Sequence, residues 1–470
     1  MYERMNILKK ADFEKLHEST LKIFQDVGIA FHSPKALKIF KNHGIKVDGN
    51  KVYFEPEHLE KALQTAPSEF KIHARNPEKS LTIGGNNLVI APGYGSPFIM
   101  KNGEKRRSTL KDYVNFCKLV QTSRHIDMNG MLMGDPSDRP ADKAHLDMVF
   151  SNIVTSDKPF IGSSASQKAA TDSIELAGIA WGGKENILDK PVTMAVISSL
   201  SPLQYSNEMA EALIVYAKYG QVNMLALLAQ AGATAPITIP GLLVTQNAEI
   251  LAGIILTQLV NPGSPVIYGS TSTVTDMSKG SLAVGAPELS LIQNATQRMG
   301  QYYGIPTRGS GAITDSHSLD MQAGIESTLA LTTTIMSGAN FILHGCGILE
   351  SYLSMSFEKF LADEEICGML KRMLKPLEIT DERIDFETIK SVGCGGEYLT
   401  HPKTFQHCRT EFYVPDLLQR NDYSTWTNKG KKQLDDLARK KFNQRLEEWE
   451  KPDIDPDMES RLANYVKDNY

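Results

Sequence analysis

From about residue 85 onward, short apolar runs alternate with longer segments whose apolar residues recur at helical spacing. Short apolar runs between turn residues are typical of buried strands, and a spacing of three to four residues is typical of helices. The predicted strands are 87–92, 126–133, 159–164, 191–198, 223–230, 264–270, 305–310 and 340–345. The predicted helices between them are 108–123, 141–157, 167–182, 207–219, 244–260, 286–303 and 318–337.

This alternation predicts a parallel sheet with helical crossovers. Residues 85–354 match the size of a closed (β/α)8 barrel, which typically takes about 250 residues. An open doubly wound sheet is the alternative, but its first turn needs a glycine fingerprint that opens a helix. The corresponding segment offers only Gly93 and Gly95, with a proline soon after. We therefore predict an α/β fold built on a (β/α)8 TIM barrel.

The segments on either side of the barrel have a different pattern. Residues 1–80 contain amphipathic stretches at 11–28, 33–44 and 56–67, which predict a helical N-terminal region. Residues 355–470 are predicted to form a C-terminal helical extension that packs on the barrel.

The composition is that of a soluble globular protein, with 41% hydrophobic and 22% charged residues. A net charge of −5 and a pI near 6.2 argue against nucleic-acid binding. Five scattered cysteines favour a reducing cytoplasm over a disulfide framework. The N-terminus lacks the apolar core of a secretory signal, and the apolar stretch 249–260 is too short to span a bilayer. We therefore expect a cytoplasmic protein with no membrane segment.

Candidate site residues follow from the barrel, because barrel active sites lie where the strands end. Arg308 begins a stretch of small residues, TRGSGAITDSHS (307–318), in which glycine lets the backbone approach a ligand closely. A guanidinium suits a carboxylate or a phosphate, and several tyrosines together can hold a quaternary ammonium. Ordinary packing is the alternative for each tyrosine. The residues that this rule selects are Tyr94, Gly134, Asp135, Ser199, Pro202, Tyr205, Asn207, Gln230, Tyr268, Arg308, His344, Cys346, Glu350 and Tyr352.

Metal binding is not predicted. The segment THPKTFQHC (400–408) contains His401, His407 and Cys408, and Cys394 precedes it, but their spacing matches no common zinc pattern. The chain also has no HExxH motif and no P-loop.

Three segments resemble the trimethylamine methyltransferase family. Residues 395–430 contain a YL-x-H step, a second histidine, Arg-x-Glu, L-x-x-R, Trp426 and Gly430. GAPELSL (285–291) and LDMQAGIES (319–327) are similar to barrel segments of that family. Lys403 stands where many relatives have histidine.

The resemblance implies a cobalamin-dependent methyltransferase that passes a methyl group from an amine to the Co(I) centre of a separate corrinoid protein. The trimethylamine enzymes carry pyrrolysine, and this sequence has only the standard residues. It therefore resembles the branch that uses quaternary amines, with glycine betaine expected first and proline betaine, carnitine or another betaine as alternatives. No tightly bound cofactor is expected, since cobalamin comes with the partner, which is expected to dock at the barrel top.

The roles expected of the candidate residues follow from that chemistry. Tyr94, Tyr205, Tyr352 and Phe357 are expected to form an ammonium cage, Arg308 to pair with the substrate carboxylate, and His344 to orient it. Asn207, Gln230 and Glu350 are further candidates. Two alternatives stay open, a zinc-dependent methyltransferase on the same fold and a non-catalytic betaine-binding protein. A homo-oligomer is expected from the barrel's exposed flank.

Overall fold

A computed structural model describes residues 4–101 and 103–470. In this part of the chain, parallel strands follow one another around a single sheet, in the order Val89–Ile90, Phe341–Leu343, Thr307–Ser310, Val266–Ser270, Val222–Leu227, Thr193–Ile197 and Phe160–Ile161. Residues 127–129 join the two outer strands. The N–H of Asp127 donates to Ile90 O (2.8 Å), and the N–H of Ile161 donates to Asn129 O (3.0 Å). The sheet therefore closes, and the predicted barrel is confirmed.

Helices surround this barrel, and their bounds agree with the predicted ranges to within a few residues at most ends. They are Leu110–Thr122, Ala144–Thr155, Gln167–Ala180, Asn207–Lys218, Ile239–Val260, Pro287–Tyr302, Met321–Met336 and Phe357–Met373. The sequence placed the last of these helices, Phe357–Met373, in the C-terminal extension. It follows the final barrel strand and packs beside the first barrel helix, where Phe357 stacks on Phe116. It therefore occupies the place of the eighth barrel helix.

Helix Ile239–Val260 begins earlier than predicted. By length and composition it could cross a membrane, but 78% of its apolar stretch is buried inside the fold. At its centre, a Cβ on Gly253 would lie 2.5 Å from both Leu225 of a barrel strand and the hydroxyl of Tyr205. The helix is therefore part of the barrel core, a position in which apolar residues on every side are expected.

The N-terminal region is not purely helical, so that prediction was wrong in part. It contains helices Lys10–Lys22, Pro34–Asn42 and Pro56–Thr65, a π-helical turn Ile23–Val27, a short helix Pro77–Lys79, and strands Ile29–Phe31, Lys46–Asp48, Lys51–Tyr53, Glu69–Ile72 and Leu81–Gly84. These strands have three or four residues, too few for an alternating pattern to be recognised. One of them, Ile29–Phe31, pairs in parallel with Gln204–Tyr205, which follows a barrel strand.

Short strands lie beyond the carboxyl ends of the barrel strands: Phe98–Lys101, Glu104–Arg107, Gln230–Ala231, Thr273–Asp276, Ser281–Ala283, Ile348–Leu349 and Ser354–Met355. A short helix, Lys184–Ile187, precedes the strand Thr193–Ile197. The C-terminal helices are Asp381–Ile384, Phe386–Val392, Pro402–His407, Tyr423–Asn428, Leu434–Glu447 and Pro456–Asn469. Leu434–Glu447 packs on the barrel, with Phe442 stacked on Phe357 at 4.4 Å and Arg445 bonded to Glu364.

Candidate active site

Arg308 points into the barrel. It pairs with Gly269 on the neighbouring strand, one residue beyond Tyr268. Tyr268 points outward, because its hydroxyl donates to Asn247 Oδ1 on a surrounding helix at 2.7 Å. Successive residues of a strand face opposite sides, so Gly269 and Arg308 face the interior. Ser310, two residues along the same strand, faces the interior as well.

Inside the barrel, Arg308 meets His344. The guanidinium Nη2 donates to Nδ1 of the imidazole at 3.0 Å, and both side chains are buried. Burial and the adjacent positive charge hold the pKa of His344 well below its usual range. His344 is therefore neutral at pH 7, and because its Nδ1 accepts a hydrogen bond, its proton lies on Nε2.

The rest of the guanidinium is unsatisfied. Arg308 is fully buried, and its Nε and Nη1 have no hydrogen-bond partner among residues 4–101 and 103–470. Burial lowers the pKa of Arg308 to about 10, so the group stays positively charged at pH 7. A buried charge with unsatisfied donors is costly, which favours an anionic ligand at these two nitrogens.

Two tyrosines flank the imidazole. The ring of Tyr352 lies 4.8 Å from that of His344, and Tyr94 approaches it edge-on at 6.5 Å. The hydroxyl of Tyr352 bonds to Thr271 Oγ1, which lies 2.8 Å from Ser310 Oγ. Burial raises the pKa of Tyr94 to about 12 and also raises that of Tyr352, so both remain neutral phenols. We call these six residues the Arg308 cluster: Tyr94, Thr271, Arg308, Ser310, His344 and Tyr352.

The glycines that follow Arg308 serve packing rather than ligand approach. A Cβ on Gly309 would lie 2.2 Å from Thr334, and one on Gly311 would lie 2.4 Å from the carbonyl oxygen of His344. Only glycine allows the segment after Arg308 to pass this close to the segment that carries His344. This corrects the expectation that these glycines let the backbone approach a ligand.

Tyr205 lies outside the Arg308 cluster, which corrects its predicted place in the cage. Its ring stacks on Phe31 of the N-terminal region at 4.9 Å, and its hydroxyl donates to Glu249 O at 2.8 Å. The ring is fully buried in this contact. The physical reason is the pairing of Gln204–Tyr205 with Ile29–Phe31, which turns the tyrosine towards the N-terminal region.

Phe357 is also turned away from the cluster. It begins helix Phe357–Met373 and lies between Phe116 and Phe442, each at 4.4 Å. Its ring therefore joins the barrel to the C-terminal helix Leu434–Glu447, and its predicted place in the cage is wrong.

The remaining candidates lie near the carboxyl ends of the strands. Asn207 begins a helix and bonds to Glu208, and Gln230 pairs with Thr273, two residues beyond Thr271. In the described chain, none of the hydrogen bonds of the Arg308 cluster involves Asn207 or Gln230.

Glu350 belongs to an ion pair near the cluster. It accepts from Lys105 Nζ at 2.9 Å and contacts His317 Nδ1 at 3.1 Å. Burial raises its pKa, but hydrogen bonds from Ser354 and Lys105 outweigh this and give a net lowering. The carboxylate is therefore ionised and already paired.

Thr271 and Ser310 were missed by the sequence analysis. Ser310 could have been found, because it stands two residues after Arg308 and so faces the same side of the strand. Thr271 directly follows the strand Val266–Ser270 and could have been found from its position at the strand end. Neither residue has a distinctive chemical motif around it.

Within the described ranges, no group of three or more His, Cys, Asp or Glu side chains is arranged to hold a metal ion. His407 and Cys408 are exposed near the C-terminus, and His401 Nδ1 accepts from the Lys403 N–H at 3.3 Å.

The whole chain is similar to a known family. The family model described as trimethylamine methyltransferase (MTTB) matches residues 1–469. A glycine betaine methyltransferase of Desulfitobacterium hafniense (strain Y51) is 43% identical over 464 residues, which cover 98% of this chain and 97% of that protein. The chain belongs to the trimethylamine methyltransferase family.

A second relative and a solved structure are also similar to this member of the trimethylamine methyltransferase family. A proline betaine:corrinoid methyltransferase of Eubacterium limosum is 35% identical, with 97% of this chain and 96% of that protein covered. The crystal structure of the Methanosarcina barkeri monomethylamine methyltransferase (MtmB) has a TM-score of 0.56 at 13% identity, covering 94% of this chain and 89% of that one. That structure supports the fold, and the family predicted from the sequence is confirmed.

Proposed function

We propose that this protein transfers a methyl group from a carboxylated quaternary amine to the Co(I) of a separate corrinoid protein, with glycine betaine as the substrate. The observation that carries this proposal is the buried guanidinium of Arg308, whose Nε and Nη1 have no partner in the described chain and which lies beside a neutral imidazole and two tyrosines. The relatives that act on glycine betaine and proline betaine support it.

The carboxylate end of the substrate fits Arg308. Nε and Nη1 lie on different edges of the guanidinium, and each forms an edge with Nη2 that can bind both oxygens of a carboxylate. The contact to His344 uses one of the two N–H groups of Nη2, so it orients the guanidinium and leaves one of these edges open. Arg308 and His344 are therefore proposed to bind and orient the substrate.

The ammonium end fits the aromatic side of the cluster. Tyr94 and Tyr352 are neutral rings, and aromatic faces attract quaternary ammonium groups. When the methyl group is transferred, the N–CH3 bond breaks and its electron pair stays on nitrogen, which gives the neutral tertiary amine of dimethylglycine, so no proton has to be supplied or removed. A neutral His344 is consistent with such a reaction. Exclusion of water from the cluster destabilises the cation relative to the transition state, in which positive charge on nitrogen is being lost.

The corrinoid protein is proposed to dock at the carboxyl ends of the barrel strands. Methyl transfer requires nitrogen, carbon and cobalt in line, so the partner must approach the Arg308 cluster closely. Five apolar residues, each following a different barrel strand, are exposed at this end: Leu200, Ile237, Met277, Met321 and Leu353. Exposed apolar groups on one face mark an interaction surface.

We also propose that the enzyme is a cytoplasmic homo-oligomer. The C-terminal segment 377–423 exposes many large apolar residues, among them Leu377, Leu399 and Phe405, each at least 78% exposed. A soluble monomer rarely presents so much apolar surface in one segment.

The test is methyl transfer to a reduced corrinoid protein, followed by the change in the corrinoid absorption spectrum. Glycine betaine is expected to react fastest, proline betaine and carnitine more slowly, and choline and trimethylamine least. Transfer from trimethylamine but from none of the betaines would overturn the proposal. Stoichiometric zinc with chelator-sensitive activity would favour the zinc enzyme, and betaine binding without transfer would favour a binding protein.

A further inference from the structure

Asp315 joins three segments that follow neighbouring barrel strands. Its Oδ1 accepts from the Val284 N–H at 3.0 Å and from Ser351 Oγ at 2.6 Å, and its Oδ2 accepts from the Gly285 N–H at 2.8 Å. Three donors therefore converge on one carboxylate. An amide could not replace it, because its NH2 group would face a donor.

The segment that Asp315 contacts has an unusual backbone. Glu350, Ser351 and Tyr352 have φ angles of 51°, 51° and 76°. Residues with a side chain rarely adopt this left-handed region, and such a run persists only where surrounding contacts hold it. The backbone supplies two contacts, from the Glu350 N–H to Ser316 O (2.9 Å) and from the Ser351 N–H to Thr314 O (3.0 Å). Asp315 supplies a side-chain contact at the centre of the run.

The run ends at Tyr352, one of the two tyrosines of the Arg308 cluster. Its ring position relative to His344 depends on the backbone that precedes it. The contact of its hydroxyl with Thr271 fixes the far end of the side chain. At the near end, Ser96 Oγ donates to Tyr352 O at 2.7 Å, and the bond between Asp315 and Ser351 holds the residue that precedes Tyr352.

We propose that Asp315 is a positioning residue which, through Ser351, holds Tyr352 as an aromatic wall of the ammonium site. This inference rests on the proposed function. Asp315 does not contact the substrate. Its effect is expected mainly at the cationic end of the ligand, because the hydrogen bond that orients Arg308 on His344 involves neither Asp315 nor Ser351.

The test compares two ligands of one shape. Glycine betaine and 3,3-dimethylbutanoate share the carboxylate and the three methyl groups, but only the first carries a positive charge. In Asp315→Asn and in Ser351→Ala, glycine betaine affinity measured by calorimetry is expected to fall at least about fivefold, the size of a lost cation–π contact. The affinity for 3,3-dimethylbutanoate is expected to change less than about twofold, since it lacks that contact. The double variant is expected to lose no more than Asp315→Asn alone.

Asp320→Asn is the matched control. Asp320 lies in the same segment and accepts from the Ala323 N–H and from Ser316 Oγ, each at 2.9 Å, so it caps helix Met321–Met336 and does not bond to Ser351. This variant is expected to lose some stability and keep its betaine affinity. Unchanged betaine affinity in both test variants, or an equal loss for the two ligands, overturns the positioning role. A wild-type protein that binds no glycine betaine overturns the proposed function itself.

Discussion

Nη2 of Arg308 donates to Nδ1 of His344 across 3.0 Å in the buried interior of the barrel. This contact orients both groups. It leaves Nε and Nη1 of the guanidinium free, and it leaves the imidazole proton on Nε2. A positive charge beside a buried histidine also opposes its protonation, which keeps the pair in one charge state around neutral pH.

Replacing Arg308 by alanine is expected to weaken glycine betaine binding by roughly 30- to 1,000-fold, because two hydrogen bonds to a charged group are lost. Choline has no carboxylate and is expected to change by less than about threefold, since it lacks these bonds. Arg308→Lys keeps the positive charge but lacks the paired donors of the guanidinium, so it should lose an intermediate amount of betaine affinity. Calorimetry on each variant measures this, and an equal loss for both ligands would remove Arg308 from the carboxylate site.

His344 is expected to make stability depend on acid pH. Its pKa is depressed in the folded protein, so below about 6.5 the unfolded chain binds more protons than the folded one. The free energy of unfolding therefore falls as the pH drops below 6.5, by up to about 1.4 kcal/mol per pH unit from this residue, and is unaffected above it.

Other histidines with lowered pKa values, such as His17 and His125, act in the same direction, so the comparison needs a variant. His344→Asn keeps an acceptor for Arg308 and cannot titrate. Urea unfolding at pH 7.5, 6.5 and 5.5 should show that the free energy of unfolding falls less with decreasing pH in this variant than in the wild type. Identical pH profiles for the two proteins would show that His344 is not held neutral.

Tyr205→Phe is expected to lower the free energy of unfolding by about 1 kcal/mol, because the bond to Glu249 O is lost. Betaine affinity should not change, since Tyr205 lies outside the cluster. Tyr352→Phe removes a hydroxyl within the cluster and is the matched comparison, expected to alter affinity. If betaine affinity fell in Tyr205→Phe and not in Tyr352→Phe, Tyr205 would belong to the ammonium cage, as the sequence predicted.

Aspartate at Ile237 or at Met277 is expected to raise KM for the corrinoid protein at least about tenfold, because a charge would be buried at the docking surface. Betaine affinity should stay the same. Leu188→Asp is the control. Leu188 precedes the strand Thr193–Ile197, so it lies at the opposite end of the barrel, and it is 43% exposed. An equal rise in KM for all three variants would contradict docking at the carboxyl ends of the strands.

The barrel could be predicted because each strand and helix has a local pattern of its own. The prediction 264–270 matches the strand Val266–Ser270, and 286–303 matches the helix Pro287–Tyr302. The same rule that places active sites at strand ends identified Arg308 and His344, which do meet inside the barrel.

The rest depends on contacts between distant parts of the chain. Tyr205 follows a barrel strand, as a site residue should, but the sequence does not show that it pairs with residue 31. Phe357 was misplaced because the helix it begins turns it outward, towards Phe442. Asp315 has no pattern that reveals the three donors around it.

The parallel pairing of Ala30 with Gln204 has a consequence for synthesis on the ribosome. The strand that contains Ala30 leaves the exit tunnel long before its partner exists. At about 5–20 residues per second, the wait is on the order of 10–30 s. During that interval the nascent chain presents an unpaired edge, so chaperone contacts early in translation are expected to fall on this strand.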